Sequence, residues 1–320
     1  MVQPLNLKYP VLVVAGPTAS GKSEVAQILA ERLDGEVVSA DSMQVYRFMD
    51  VGTAKVPVAE RRVAHHLIDV VDPGRAYSAQ LYQNQARAAF QEIDSRGKHV
   101  VLCGGTGFYI QAALEDMQFP AGEQEENPLR REYEQLAEER GGLYLWEKLK
   151  DFDPESAAAI HPNNTKRVIR ALEMASEGVS YAQQSRNIKQ LPAVVPSVRF
   201  VLDVEVPVLN ERIEQRTRTM FANGLVAEVE RLVQQGFSEA LTAPQAIGYK
   251  EVVEYLEGQI SLEEAQDKIT LATRRYAKRQ RSWFRRDADN IFIDATDGNT
   301  QRIADDIYTR YMRECEAMHG

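Results

Sequence analysis

At 320 residues, with 44% apolar and 27% charged side chains, the chain has material for one large domain or a main domain with a smaller one attached. Two cysteines, Cys103 and Cys315, exclude a disulfide framework, and no Cys/His spacing matches a zinc site. A net charge of −9 excludes a uniformly basic nucleic-acid coat, so a polyanion partner has to meet a local basic surface on an acidic body.

The opening MVQPLNLKYP lacks the basic-then-apolar pattern of a secretory signal, and no apolar run reaches membrane-spanning length. A cytoplasmic protein with no membrane association is expected, and the Asn163-Asn164-Thr165 sequon has no secretory context. Val11–Ala15 reads as a short buried strand ending at Gly16. From Lys22, Val25, Ile28, Leu29 and Leu33 recur at helical spacing, completing strand–loop–helix. Glu36–Ala40 reads as a second strand and Leu67–Val71 as a third, stopped by Asp72-Pro73-Gly74. His65 and His66 are adjacent, so in a strand they point to opposite faces; they end a strand rather than ligate a metal. Ser78 is an expected N-cap for a helix to about Arg96, with Leu81, Ala86, Ala89, Phe90 and Ile93 facing inward. Val100–Cys103 is another buried strand, and Gly104-Gly105-Thr106-Gly107 leads into a helix.

The pattern changes near Phe119. Pro120–Asn127 is polar and acidic, carrying Glu123, Glu125 and Glu126, and acid recurs over Glu132–Glu139. Helices are expected over Pro128–Arg140 and Asn163–Glu177, with no strand as far as about Gln190. A strand returns at Ser197–Val206, followed by helices from Pro207, Pro244 and Ser261 and a last strand at Ile291–Asp294. Strands alternating with helices predict an α/β fold, a P-loop NTPase-like parallel sheet flanked by helices. That core spans 1–118 and 191–320, and residues 119–190 form an all-helical insertion domain. Nothing resembles a coiled coil, and a monomer is expected.

Gly16-Pro17-Thr18-Ala19-Ser20-Gly21-Lys22-Ser23 satisfies G-x-x-x-x-G-K-[ST] in full, after a buried strand and at the opening of an amphipathic helix. Backbone amides of such a loop converge on phosphate oxygens, and the helix adds its positive end. Lys22 supplies a point charge and the Ser23 hydroxyl a ligand for Mg²⁺. ATP or another nucleotide is the usual occupant of such a loop. Hydrolysis also needs an acid at the end of a buried strand, yet Val100–Cys103 runs into Gly-Gly-Thr. The loop therefore suits a diphosphate leaving group.

Ligands of open parallel sheets sit at the carboxyl ends of the strands. Asp41, in Asp41-Ser42-Met43-Gln44, is either a turn or cap aspartate, or a carboxylate that binds Mg²⁺ or takes a proton from a nucleophile. Thr106 is either a helix cap or a donor to phosphate or base. Cys103 is a small buried residue with no histidine placed to activate it. Arg212 and Arg216 share a helix face; one reaches a diphosphate, or both pair with neighbouring glutamates. Over Arg274–Arg286 almost every second residue is Lys or Arg, and Arg274, Lys278, Arg281 and Arg285 fall on one face. Few acids in the helix pair them, which points to contact with a polyanion, tRNA or diphosphate. Lys166, Arg167 and Arg170 form a smaller cluster.

Taken together, Gly16–Ser23 (GPTASGKS), Ser39–Tyr46 (SADSMQVY), Asp50–Lys55 (DVGTAK), Gly104–Tyr109 (GGTGFY), Arg167–Glu173 (RVIRALE), Ala246–Glu251 (AIGYKE) and Arg275–Arg286 (RYAKRQRSWFRR) resemble the tRNA dimethylallyltransferase, or IPP transferase, family, in order and over most of the chain. The resemblance implies transfer of a dimethylallyl group from dimethylallyl diphosphate to N6 of the adenosine 3′ of the anticodon, with Mg²⁺. It implies Asp41 as general base, Thr106 as a contact near the target base and Arg216, with Arg212, as diphosphate ligands beside Thr18–Ser23. It implies tRNA anticodon stem-loop contacts at Asp41, Ser42, Met43, Gln44 and Thr106, at Arg130, at Lys166, Arg167, Val168, Ile169 and Arg170, and at Gln245, Ala246, Ile247, Gly248, Tyr249 and Lys250. The chain departs from the family pattern at Asn164, where Asp is frequent, at Val56, where Pro usually follows Lys55 directly, and at Ser282, a common Thr. The rival readings are a P-loop small-molecule kinase with a helical lid and an RNA-binding protein with a nucleotide switch.

Overall fold

Apolar runs with no polar alternation need cover on both faces, and Val11–Ala15 (β1) is buried at every position. A computed structural model describes residues 4–119, 128–187, 191–237 and 243–319. Glu123, Glu125 and Glu126 lie outside the described residues, as does the end of the expected helical stretch at Gln190. The chain divides into two compact units, one made of Met1–Leu114 with Val194–Gly320 and the other of Glu115–Ala193.

The first unit is built on six parallel strands: β1, Gly35–Ser39 (β2), His65–His66 (β3), His99–Gly104 (β4), Ser197–Asp203 (β5) and Ile291–Asp294 (β6). Their order is β3-β2-β4-β1-β5-β6. Ala15 lies in register with Gly104 and with Val201, and Ser39 with Cys103. The loops after β1, β2 and β4 therefore emerge side by side at one edge. Side chains alternate between two cores. Val13, Val38, Leu102 and Val201 pack with Tyr82, Phe90 and Ile93 on one face; Leu12, Val37, Val101 and Phe200 pack with Val25, Leu29 and Ile307 on the other.

Helices α1 (Lys22–Arg32), α2 (Ala79–Ser95) and α3 (Gly107–Leu114) precede the second unit. That unit holds α4 (Pro128–Arg140), α5 (Gly142–Phe152), α6 (Pro154–Ala159), α7 (Thr165–Ser176) and α8 (Tyr181–Asn187), with no named strand among its described residues. Its core gathers Tyr133, Leu145, Leu149, Val168, Ile169 and Leu172. After β5 come α9 (Val206–Ala222), α10 (Leu225–Gln234), α11 (Tyr249–Leu256) and α12 (Leu262–Phe284), then α13 (Thr300–His319) after β6. No helix among the described residues is long and apolar enough to cross a membrane.

Several local expectations hold. Ser78 caps α2, accepting from Leu81 N at 3.1 Å, and Ser261 caps α12 reciprocally with Glu264. Others fail for identifiable reasons. Leu67–Val71 is not a strand, because Leu67 and Asp69 adopt φ of 59° and 60° and turn the chain back onto Val45. Leu81 is exposed at 39% and Tyr82 takes the inward position. No α-helix starts at Pro244; Ala243–Gln245 is a single tight turn and α11 begins at Tyr249. The strand read to Val206 stops at Asp203, because Val206 already opens α9.

Candidate active site

The phosphate loop curls as its sequence demands. Ala19 and Gly21 take φ of 64° and 89°, an arrangement that turns successive amides toward one side. Lys22 Nζ donates to Pro17 O at 3.1 Å, folded over its own loop. Burial lowers the Lys22 pKa, with Arg216 adding to the effect and Cys103 and Asp41 opposing it. Burial likewise lowers that of Arg216, against the pull of Asp41. Two cations and one carboxylate thus lie within electrostatic reach of one another. Arg216 lines the same cavity as Lys22; Arg212 is instead held by the turn after β6, donating to Ala295 O and Thr296 O at 3.2 and 2.7 Å. Arg212 lines only the wider neighbouring cavity.

Asp41 closes the turn after β2, where Oδ1 accepts from Met43 N at 2.9 Å and Gln44 N at 3.4 Å. Both amides use the same oxygen, so the second remains available for a proton. Ser42 N donates to Thr106 Oγ1 at 3.0 Å, joining this turn to the loop after β4. Gly104 is required there: a Cβ would come within 2.1 Å of Ala40 O. Cys103 is buried, and burial pushes its thiol up to about 11, the wrong direction for a nucleophile.

Lys22, Ser23, Asp41, Thr18 and Arg216 line one cavity of about 300 Å³. A wider cavity of about 1070 Å³ shares Lys22, Ser23, Ala54, Val56, Arg216 and Met220 with it, so the cationic wall separates two open spaces. Sequence reading missed the face of α12 that borders the first cavity, Thr273, Tyr276, Arg279 and Gln280. Gln280 is buried; its Oε1 accepts from Thr18 N and its Nε2 donates to Gly105 O, each at 2.9 Å. Burial, reinforced by Asp41, pushes the Tyr276 phenol up to about 12, so it stays neutral. The face that sequence did single out is largely occupied. Arg274 pairs with Glu214 at 3.2 Å, and Arg281 and Arg285 pair with Asp203 at 3.1 and 3.2 Å. Those acids come from α9 and β5, where spacing within one helix could not reveal them.

The 50–55 loop also escaped a role. Glu228 accepts from the amides of Asp50, Val51 and Gly52 and from Tyr249 Oη, while Lys55 bonds Tyr46 O, Asp50 and Asp69. Tyr249 is therefore a buried support, Ala246 is largely buried but lines the cavity with Gln245 and Ile247, and Gln245 and Lys250 are exposed. In the helical unit the side chains of Val168 and Ile169 face its core, so they too are supports; Lys166 and Arg167 are exposed. Arg130 and Arg170 both pair with buried Glu173, at 3.0 and 3.2 Å. Asn164 caps α7 by accepting from Arg167 N at 3.3 Å, as an aspartate would. No cluster of three or more His, Cys, Asp or Glu able to hold a metal occurs among the described residues.

Comparison with known proteins follows the same lines. The IPP transferase family model matches residues 44–287. A tRNA dimethylallyltransferase of Caldicellulosiruptor saccharolyticus is 43% identical over 90% of this chain and 93% of its own. One from an Exiguobacterium species is 46% identical over 90% and 91%. Among solved structures, the tRNA isopentenylpyrophosphate transferase of Bacillus halodurans superposes with a TM-score of 0.69 at 38% identity, covering 97% of this chain and 99% of that one. A eukaryotic dimethylallyltransferase acting on tRNA gives 0.74 at 29% identity, over 90% and 74%. With phosphate loop, carboxylate and arginine set around one cavity, and with family likeness running through both units, the chain belongs to the IPP transferase family.

Proposed function

We propose that this enzyme transfers a dimethylallyl group from dimethylallyl diphosphate to the exocyclic N6 of the adenosine 3′ of a tRNA anticodon, releasing diphosphate. The observation that carries the reading is the convergence of Lys22, Ser23 and Arg216 with Asp41 on one cavity, with Thr106 bonded to the Asp41 turn at Ser42 N. An adenine amine is a weak nucleophile because its lone pair feeds the ring. The donor carbon therefore has to be made electrophilic by stabilising the departing diphosphate. Lys22, the loop amides and Arg216 place fixed positive charge where the leaving oxygens develop negative charge. As the new C–N bond forms and the C–O bond breaks, the amine loses a proton to Asp41.

The Ser23 hydroxyl, exposed at the start of α1 and lining the cavity, fits a Mg²⁺ that takes most of its ligands from phosphate oxygens and water. When bound, that ion would neutralise diphosphate charge. The target base has to leave its stack to enter the cavity, as for other enzymes that act on base atoms. The Asp41–Gln44 turn borders the acceptor side, with Thr106 bonded to it at Ser42 N, and exposed Lys166, Arg167 and Lys250 are available to RNA phosphates. A monomer acting on tRNA in the cytoplasm fits this reading.

Incubation with labelled dimethylallyl diphosphate and bulk tRNA tests it. Label is expected in adenosine of the RNA, with stoichiometric diphosphate. Phosphorylation of a small molecule from ATP, with no label in RNA, would replace the reading by the kinase one.

A further inference from the structure

Gln280 is the one side chain that bonds both the phosphate loop and the loop on the acceptor side, judged by the hydrogen bonds of the described residues. Its orientation is unambiguous: Thr18 N–H can only donate and Gly105 C=O can only accept, so Oε1 faces the first and Nε2 the second. The fit is close. A Cβ on Gly105 would lie 2.2 Å from Gln280 Nε2. Gly105 adjoins Thr106, whose hydroxyl holds Ser42 N in the Asp41 turn, so two hydrogen bonds and the backbone between them link the carboxamide to the turn that carries the general base. On its other side, the amide it occupies belongs to the loop meant to receive diphosphate. Gln280 sits in α12, one turn from Tyr276 and next to Arg279, both cavity-lining.

We propose that Gln280 is a positioning residue that couples diphosphate binding to the acceptor side of the site, an inference that rests on the function proposed above. Filling the phosphate loop competes for Thr18 N–H. Any shift of Oε1 moves Nε2 as well, because the carboxamide is one rigid plane, and Gly105 and Thr106 follow. Conversely, a base held against Thr106 fixes Gly105, and through it the Thr18 amide. The coupling is reciprocal by necessity.

The test is calorimetric titration of inorganic pyrophosphate with Mg²⁺ into the full chain, with and without an anticodon stem-loop RNA. In wild type the RNA is expected to change pyrophosphate affinity by about fivefold or more. In Gln280→Met, nearly isosteric but unable to bond either loop, the ratio is expected to fall to within about twofold of unity, with each ligand alone still bound. Gln280→Glu keeps the acceptor for Thr18 N and loses the donor for Gly105 O. It is expected to lose the coupling too, and it serves if the Met variant does not fold. An unchanged ratio in either variant, or no ratio in wild type, overturns the proposal while leaving the function standing. Failure of wild type to bind pyrophosphate both without and with RNA overturns the function as well, and the two titrations report it separately.

Discussion

Asp41 has two duties, closing a turn through Oδ1 and offering its other oxygen to the cavity. Asp41→Asn separates them, because the amide oxygen still accepts from Met43 N. Its kcat should fall by roughly 10²–10⁴ with RNA affinity unchanged. Single-turnover rates under saturating RNA check this, and near-normal turnover would remove Asp41 as the base. Gly104→Ala belongs to the same scale. A methyl 2.1 Å from Ala40 O forces two loops apart, at a cost of about 1–3 kcal/mol in urea unfolding. Phe48 offers the opposite sign: exposed at 59% with φ 65°, it holds a left-handed backbone with a bulky side chain. Phe48→Gly should raise stability by about 1 kcal/mol in the same assay. Asp41, Lys22 and Thr106 were legible from sequence because each stands in a local pattern with a known geometry. Gln280 was not, since its partners lie 262 and 175 residues away along the chain.

Helices and strands show where local pattern misleads. Leucine, isoleucine and valines at 67–71 look like a strand, yet two left-handed residues fold that run back on Val45. The cation row of α12 looks like a free polyanion face, yet Glu214 and Asp203 claim three of its members. α7 is the clearer RNA-facing candidate, because Lys166 and Arg167 are exposed while Val168 and Ile169 anchor the helix. RNA affinity should therefore fall steeply with salt. Lys166→Ala with Arg167→Ala should make the log–log slope shallower by roughly 1 to 2. An unchanged slope would assign RNA binding to other cations.

For the molecule as a whole, His99 ties the amino-terminal segment to the last helix. Tyr9 stacks on it at 3.8 Å, its Nδ1 lies 2.9 Å from Tyr311 Oη, and Tyr311 donates to Pro10 O. Since that hydroxyl proton is spent on Pro10, His99 Nδ1 carries its own hydrogen. Burial, helped by Lys8, pushes the His99 pKa down to about 4. A histidine depressed on folding is neutral in both states at pH 7, so nothing is lost there. Below its unfolded pKa of about 6.5 the unfolded chain binds the extra proton, and stability falls until the pH nears 4, by on the order of 3 kcal/mol. His99→Gln should flatten the melting temperature over that window relative to wild type; parallel curves would show that other groups dominate.

The chain leaves the sheet unit at Leu114 and re-enters at Val194, whose amide bonds Leu114 O at 2.9 Å. On the ribosome this detour sets a timetable. β1 gains β4 early, but its other edge stays unpaired until Ser197–Asp203 has been synthesised. At ordinary elongation rates the wait after β4 is roughly five to twenty seconds. Throughout it, a nascent sheet with a bare valine-rich edge is exposed, whereas the helical segment draws its core cluster from its own stretch of chain. Chaperone dependence in the cell should therefore track the delay before β5 emerges, more than the intrinsic strength of the finished fold.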